Sequence, residues 1–430
     1  MHVIVLADFA IADGGAPKVA IESARALAEQ GVAITYIHAV GDRLDPLLDH
    51  PGIAAIGLGL ADVWSQPIHR AAVNGVWSRA AGIKLRAALT RIARPDSIVH
   101  LHQWTKALSP AAFSAIRASG LPLAVTMHDY FLACPVGVFY RFDTHEPCAL
   151  KPLSAACLTS RCDPRSRAHK AIRVARLLAQ NRAIRNWPFD VVHVSDRGAR
   201  TIAPHLPATV RQHRIDNPVR IAKGPPAEIV ESSRMLYLGR FTIEKGAVIA
   251  AEAAKRAGVP ALFVGEGPAE AAIRAANPRA EIRGWVKPAG IADLIRCEAR
   301  VLVAPSRWPE TGPLTVYEAM AVGVPVIGSD MSGAAEKIRL GETGLIVSPD
   351  VAALSAALQT VWPLEAARGM GAEAYRQYWR KPPTPARHGA ELAALYQTIL
   401  SHRAVDSSLA TPQNENVTVL PRQTMTKPAA

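Results

Sequence analysis

Residues 301–327 restrict the architectures open to this chain more than any other stretch, because they end one strand, open one helix and start a second strand. Val301-Leu-Val-Ala304 is an unbroken apolar run of the kind found in a parallel strand buried on both faces. Gly312-Pro313 fits a helix start with proline at the first helical position, and Gly323-Val-Pro325 stops that helix before Val326-Ile327. Two carboxylates lie across the turn, Glu310 in the loop before the helix and Glu318 inside it. Free backbone N–H groups at Gly312, Leu314 and Thr315 would face whatever Glu310 faces. Amides of that kind favour phosphate or sugar oxygens, while a carboxylate takes hydroxyl donors. A sugar nucleotide offers both kinds of group. The plainer alternative is an ordinary strand–helix unit with two surface acids; the flanking Pro305-Ser306 and Ala319-Met-Ala-x-Gly323-x-Pro325-Val weigh against it.

Strand and helix signals alternate along the whole chain, the pattern of parallel α/β layers. His2–Leu6 reads as a first strand, Lys18–Gln30 as a helix after Gly14-Gly15, and Ala33–His38 as a second strand. Ile98–His102, Leu123–Met127 and Val191–Val194 continue this series. After a Pro- and Gly-bearing stretch, 217–226, a second series follows: 235–238, 261–264, 281–284, 301–304, 326–328 and 345–347. The expected domains are therefore 1–220 and 221–380, two doubly wound Rossmann-like units, with an insertion at 134–162 and a final helix over 386–400. Residues 404–430, polar and poor in aromatics, read as a disordered tail. Segment 40–95 carries no interpretable pattern.

At 430 residues with 49% hydrophobic content the chain can bury two sizeable cores. No apolar run of about 18 residues exists to make a transmembrane helix. The N-terminal apolar run is short, lacks a basic leader and meets Asp8 early, so a first strand and a cytoplasmic location are expected. Most of the net charge of +13 falls in residues 1–220 and peaks in the helix-compatible run 165–185. Anionic lipid head groups and a solvated face paired with acidic neighbours are the two readings of that run. Nucleic acid is not expected as a partner, since no recognition motif or aromatic stacking pattern accompanies the charge.

Other motifs carry chemistry at strand ends. Arg240 and Lys245, in Gly239-Arg-Phe-Thr-Ile-Glu-Lys-Gly246, are suited to clamp a diphosphate, one as a planar fork and the other as a point charge. Gly14-Gly15 precedes a helix whose amides suit a phosphate oxygen, and the spacing is not Gly-x-Gly-x-x-Gly, which argues against a dinucleotide oxidoreductase. Gly265-Glu-Gly267 follows a strand, where it serves a ligand or a tight turn equally well. Four cysteines, Cys134, Cys148, Cys157 and Cys162, cluster after His128-Asp129. Structural zinc and reduced buried thiols are both compatible with them, ahead of a disulfide.

Taken together, Gly14-Gly15, His128, Arg240 with Lys245, Gly265-Glu-Gly267 and the Glu310/Glu318 pair resemble, in order, the signature of glycosyltransferase family 4. The resemblance implies retaining enzymes of the GT-B fold that move a sugar from a UDP- or GDP-linked donor to a hydroxyl. The expected pathways are polysaccharide, lipopolysaccharide or glycolipid biosynthesis. It also implies that His128 and Glu310 lie at the reacting sugar and that Gly15, Arg240, Lys245, Gly312, Leu314 and Thr315 hold the diphosphate. Glu318, Gly265, Trp285 and Val286 would then take the ribose and base. No metal is required for catalysis in such enzymes, and the acceptor is a saccharide or a lipid-linked molecule. Thr311-Gly312-Pro313 and Ser332-Gly333-Ala334 depart from the family's usual loops. A nucleotide-sugar epimerase on the same frame and a non-catalytic membrane-associated binding protein are the alternatives.

Overall fold

The computed structural model describes residues 1–409, with side chains described through 402. The first unit runs β1 (His2–Phe9), α1 (Gly15–Ala28), β2 (Ala33–Val40), β3 (Ile53–Leu60), α2 (Ile68–Val76), α3 (Arg79–Ile92), β4 (Ser97–Leu101), α4 (Ala111–Ser119) and β5 (Leu123–Met127). It continues through β6 (Tyr140–Arg141), β7 (Glu146–Pro147), α5 (Ala155–Thr159), α6 (Arg167–Ile184), β8 (Phe189–His193), α7 (Asp196–Ile202) and β9 (Val210–Arg214). Seven of these strands form one parallel sheet in the order β3-β2-β1-β4-β5-β8-β9, and β6 and β7 make a separate antiparallel ladder. Strands β1, β4, β5 and β8 are buried along almost their whole length, which is why they are mostly apolar without alternation, and the polar side chains they carry, such as His100 and Asp190, are themselves buried.

The second unit comprises β10 (Arg234–Leu238), α8 (Ala247–Ala257), β11 (Ala261–Val264), α9 (Glu270–Ala276), β12 (Glu281–Arg283), α10 (Ile291–Glu298) and β13 (Ala299–Ala304). Then come α11 (Leu314–Ala321), β14 (Val326–Ser329), β15 (Gly344–Val347), α12 (Val351–Val361), α13 (Leu364–Arg380) and α14 (Pro385–Leu409). Its six-stranded parallel sheet has the order β12-β11-β10-β13-β14-β15. Each sheet therefore has a switch point, between β1 and β4 and between β10 and β13, and open α/β sheets bind ligands beyond the carboxyl ends of their strands at such points. The loops after β1, β10 and β13 meet there.

Helix α14 crosses back to the first unit. Leu392, Leu395, Tyr396 and Ile399 join a core with Val3, Val5 and Ile21, and the Tyr396 hydroxyl meets His100 Nδ1 at 2.5 Å. The helix passes so close to α1 that a Cβ on Gly389 would lie 2.9 Å from the Ala26 carbonyl. The expected tail over 404–430 needs correction at its start, because α14 continues to Leu409; the rest lies outside the described residues. Helix α1 begins at Gly15 rather than at the expected Lys18, since Pro17 is tolerated within a first helical turn. Strands β3 and β9 were not expected. Among the described residues no helix is long and apolar enough to cross a membrane.

Candidate functional site

Between the two sheets lies a cleft cavity of about 540 Å³. Gly15, Arg240, Lys245, Gly265, Trp285 and Val286 line it, as do Glu310, Gly312, Leu314, Thr315 and Glu318. The loop after β10 carries Arg240 and Lys245, the loop after β13 carries Glu310, and α11 carries Glu318 on a buried face. Helices α1 and α11 both start without a side-chain cap, and Gly14, Gly15, Leu314 and Thr315 at those starts line the cavity. A Cβ at Gly15 would meet nothing within 4 Å, so packing within the chain does not require this glycine. Gly265 is different: at φ +140° a Cβ there would come 2.0 Å from the Gly239 carbonyl, and the tight approach of two loops accounts for it.

Four of the charges in the cavity form two pairs. Lys245 donates to Glu310, whose other oxygen accepts from the Ser306 hydroxyl. Lys18, on the first turn of α1, bridges the cleft to Glu318 at 2.8 Å. Arg240 is exposed and forms no ion pair among the described residues. Lys18 escaped the sequence reading; the only signal was a basic side chain three residues beyond Gly15. Ser306 and Tyr237, whose hydroxyl donates to the Arg240 carbonyl at 2.9 Å, were missed as well. Trp285, 54% exposed, stands at the cavity edge and not in the core.

His128 does not line the cavity. It sits beyond β5, where its carbonyl accepts from the Thr311 hydroxyl at 2.9 Å and its Nε2 meets His102 Nδ1 at 3.0 Å. Burial depresses its imidazole to about 3, so it is neutral near physiological pH. The residue next to it, Asp129, is pushed up to about 6 by burial, against the opposing pull of the Phe131 amide and Arg176. The position expected for a contact residue is therefore one step behind the loop that carries Glu310.

The expected zinc set also needs correction. Among the described residues no group of three or more His, Cys, Asp or Glu is placed to hold a metal, and all of the cysteines are free. Cys134 and Cys162 instead join the core of the first sheet, with Cys148 packed against it, and burial raises the Cys134 thiol. The basic run 165–185 is likewise not one outward stripe. In α6 the Lys170 ammonium turns in to the Ser160 carbonyl at 2.6 Å, Arg176 is buried, and Arg173 pairs with Asp163 at 3.0 Å.

Residues 232–362 match the family model for glycosyl transferases group 1. A GDP-mannose-dependent alpha-mannosyltransferase of Mycolicibacterium smegmatis is 30% identical over 176 residues, 37% of this chain. The match spans 46% of that relative, under half its length. Sucrose-phosphate synthase from Thermosynechococcus elongatus superposes with a TM-score of 0.70 at 17% identity, over 93% of this chain and 99% of that one. Anabaena HepE in complex with UDP-glucose superposes with a TM-score of 0.65 at 15% identity, over 93% of this chain and 100% of that one. The fold is thus that of the GT-B glycosyltransferases, two Rossmann-like domains with parallel sheets.

Proposed function

We propose that the protein is a retaining hexosyltransferase that moves a sugar from a UDP- or GDP-linked donor to a hydroxyl on a saccharide or lipid-linked acceptor. One observation carries this reading. Arg240 and Lys245, Glu310 and Glu318, and the uncapped starts of α1 and α11 converge on a single cavity at the switch points of both sheets. The group 1 match over 232–362 supports it, since that segment supplies all of these groups except those of α1. The 30% identical mannosyltransferase and the UDP-glucose complex of HepE support a nucleotide-sugar donor.

In this reading a diphosphate lies between Arg240, Lys245 and the amides of α1 and α11. As the sugar–oxygen bond breaks, negative charge grows on the leaving diphosphate, and preorganised donors there stabilise it more than they stabilise the bound donor. Glu310 accepts from hydroxyls of the donor sugar, which frees Lys245 for the phosphate. Glu318 accepts from the ribose, which displaces Lys18, and Trp285 flanks the base. The incoming hydroxyl attacks from the face the diphosphate leaves, with that phosphate taking its proton. His128 holds Thr311 beside Glu310 through its backbone carbonyl. Charge is met by side chains and amides, so we propose no metal requirement. The same reading puts the protein in the cytoplasm, peripheral to the inner membrane face if the acceptor is lipid-borne.

A panel of UDP- and GDP-sugars, scored by thermal shift and then by turnover, tests this. A cognate nucleotide at about 100 times its dissociation constant adds roughly 2.7 kcal/mol of stability. Lys245→Met is expected to lower turnover by about 10²–10³-fold, by analogy with loss of one oxyanion donor. Chelation with EDTA is expected to leave turnover unchanged. Failure of every nucleotide to stabilise the protein refutes the reading, and product formed without any acceptor would identify an epimerase.

A further inference from the structure

A second cavity, of about 330 Å³, opens on the first domain between α2, α6 and the loop after β4. Its walls include the aromatic rings of Trp64 and Phe131 and the aliphatic side chains of Ile68 and Ile172, and its cations are Lys106, Arg165, Arg173 and Arg176. No aspartate or glutamate lines it. Of the four cations only Arg173 is neutralised by an ion pair among the described residues, with Asp163. The others rest on aromatic faces: Arg165 lies 3.6 Å and Lys106 5.3 Å from the Trp64 ring centre, and Arg176 lies 4.4 Å from that of Phe131. Ring faces hold a cation without cancelling its charge. Arg176 is 8% exposed, and its one hydrogen bond is donated to the Pro135 carbonyl at 2.9 Å, so a fixed positive charge stands in the wall.

The fold aims this cavity at the donor site. Lys106 is held by its own backbone: the buried Asp8 carboxylate at the end of β1 accepts from the amides of Lys106, Ala107 and Leu108 at 2.8, 3.0 and 3.1 Å. Burial is the main influence lowering the Lys106 ammonium; the Asp62 and Asp8 carboxylates raise it, and the Arg165 and Arg240 guanidinium groups lower it further. Phe131 follows His128 by three residues at the end of β5. The cavity thus lies at the same carboxyl edge of the first sheet as the loop of α1, on the first-domain side of the cleft.

We propose that this cavity is the acceptor site and that the acceptor is a phosphorylated sugar, free or carried on a lipid. The proposal rests on the glycosyltransferase reading above. The phosphoryl group sits among Lys106, Arg165 and Arg176, and the sugar ring lies against Trp64 and Phe131 with its accepting hydroxyl directed into the cleft. A lipid-borne form would leave across α2, where Ile68 and Val73 are 74% and 68% exposed.

The test is calorimetric titration of the full chain with hexose 1- and 6-phosphates and the matching free hexoses, with UDP and GDP present to occupy the donor cations. Phosphorylated sugars are expected to bind at least about 10-fold more tightly than free ones, a difference of about 1.4 kcal/mol. Lys106→Met with Arg165→Met should remove that preference while leaving UDP and GDP binding intact. The lipid arm compares vesicles of phosphatidylcholine alone with vesicles also containing phosphatidylinositol. Binding that needs the inositol phosphate head, and that the double variant loses, assigns the lipid-borne form. Equal binding of phosphorylated and free sugars, a double variant as tight as the parent, or no binding in either arm overturns the proposal. Loss of nucleotide binding by the parent protein would instead overturn the donor reading, so the two failures are separable.

Discussion

Lys18 and Lys245 each hold one of the two glutamates on which a donor would rely, and the two ties differ in what they join. Lys245 and Glu310 belong to the same domain, whereas Lys18 and Glu318 connect the two. The Glu318 side chain is 7% exposed, so deleting its partner leaves a carboxylate with little solvent to replace the lost ammonium. Breaking a buried pair from one side costs about 3–5 kcal/mol, whereas removing both charges is far milder. Lys18→Met is therefore expected to lower the thermal midpoint, and Lys18→Met combined with Glu318→Gln to recover most of the loss. A double-mutant cycle in thermal midpoint measures this, and additive losses would show that the bridge carries no coupling. Nucleotide should stabilise Lys18→Met more than it stabilises the parent, because ribose hydroxyls would meet a carboxylate already freed. The Glu310/Glu318 spacing was readable in the chain because both lie within one strand–turn–helix unit. Their lysine partners were not readable as partners: Lys18 is 300 positions from Glu318, and only the closing of one domain on the other brings them together.

At the level of elements, two glycines bound helix α8, and they separate backbone strain from collision. Gly246 has φ +75° and Gly258 φ +71°, both in the left-handed region. A Cβ on Gly258 would meet nothing within 4 Å, while one on Gly246 would lie 2.2 Å from the Pro305 carbonyl. Gly258→Ala should cost only the left-handed penalty of about 1–2 kcal/mol. Gly246→Ala adds a displacement of the strand end that leads to Ser306 and Glu310, typically about 1–3 kcal/mol more. Urea unfolding should rank the two variants in that order. The nucleotide-induced thermal shift should survive in Gly258→Ala and shrink in Gly246→Ala; equal shifts would mean the Pro305 turn does not set the site. The central strands were legible because each is buried on both faces and reads as a continuous apolar run. Strand β3 was not, since Ala54, Ala55, Gly57 and Gly59 dilute an edge strand exposed along one face. Strand β9, Val-Arg-Gln-His-Arg, is a polar edge whose only buried residue is Val210, and its pairing with β8 supplies the order that its composition lacks. The clustering of four cysteines left zinc and reduced buried thiols equally open, and the structure favours the second: Cys134 and Cys162 belong to the core of the first sheet and Cys148 packs against it.

Over the whole molecule, the return of α14 to the first domain rests on buried histidines that the chain must keep neutral. His388 joins the linker and α1 through the Asp216 carbonyl and the Ser23 hydroxyl, both at 2.8 Å. His100 joins β4 to α14 through Tyr396. Burial depresses His100 and His128 to about 3 and His388 to about 4, from 6.5 when unfolded. Between those limits the unfolded chain binds more protons than the folded one, so stability rises with pH across this window and is lost as pH falls below 6.5. Each such group contributes a slope of about 1.4 kcal/mol per pH unit. Asp129 opposes them: its folded value near 6 exceeds its unfolded 3.8, so its penalty is relieved as pH falls through the same range, and burial raises Asp8 and Glu22 in the same sense, while it lowers His2, His102 and His193 alongside the three imidazoles. The net expectation is a thermal midpoint that declines steeply from pH 6.5 towards 4. Groups facing the junction are the other histidines of the cluster and the Asp216 carboxylate, and Lys337, Tyr317 and Arg214 already engage that carboxylate. Its pull raises His388 but is outweighed by burial. Amide exchange should show α14 losing protection before the central strands of either sheet as the pH drops. A midpoint that stays level down to pH 4, or an α14 that opens only with the sheets, would show that these imidazoles are not what makes docking depend on protons.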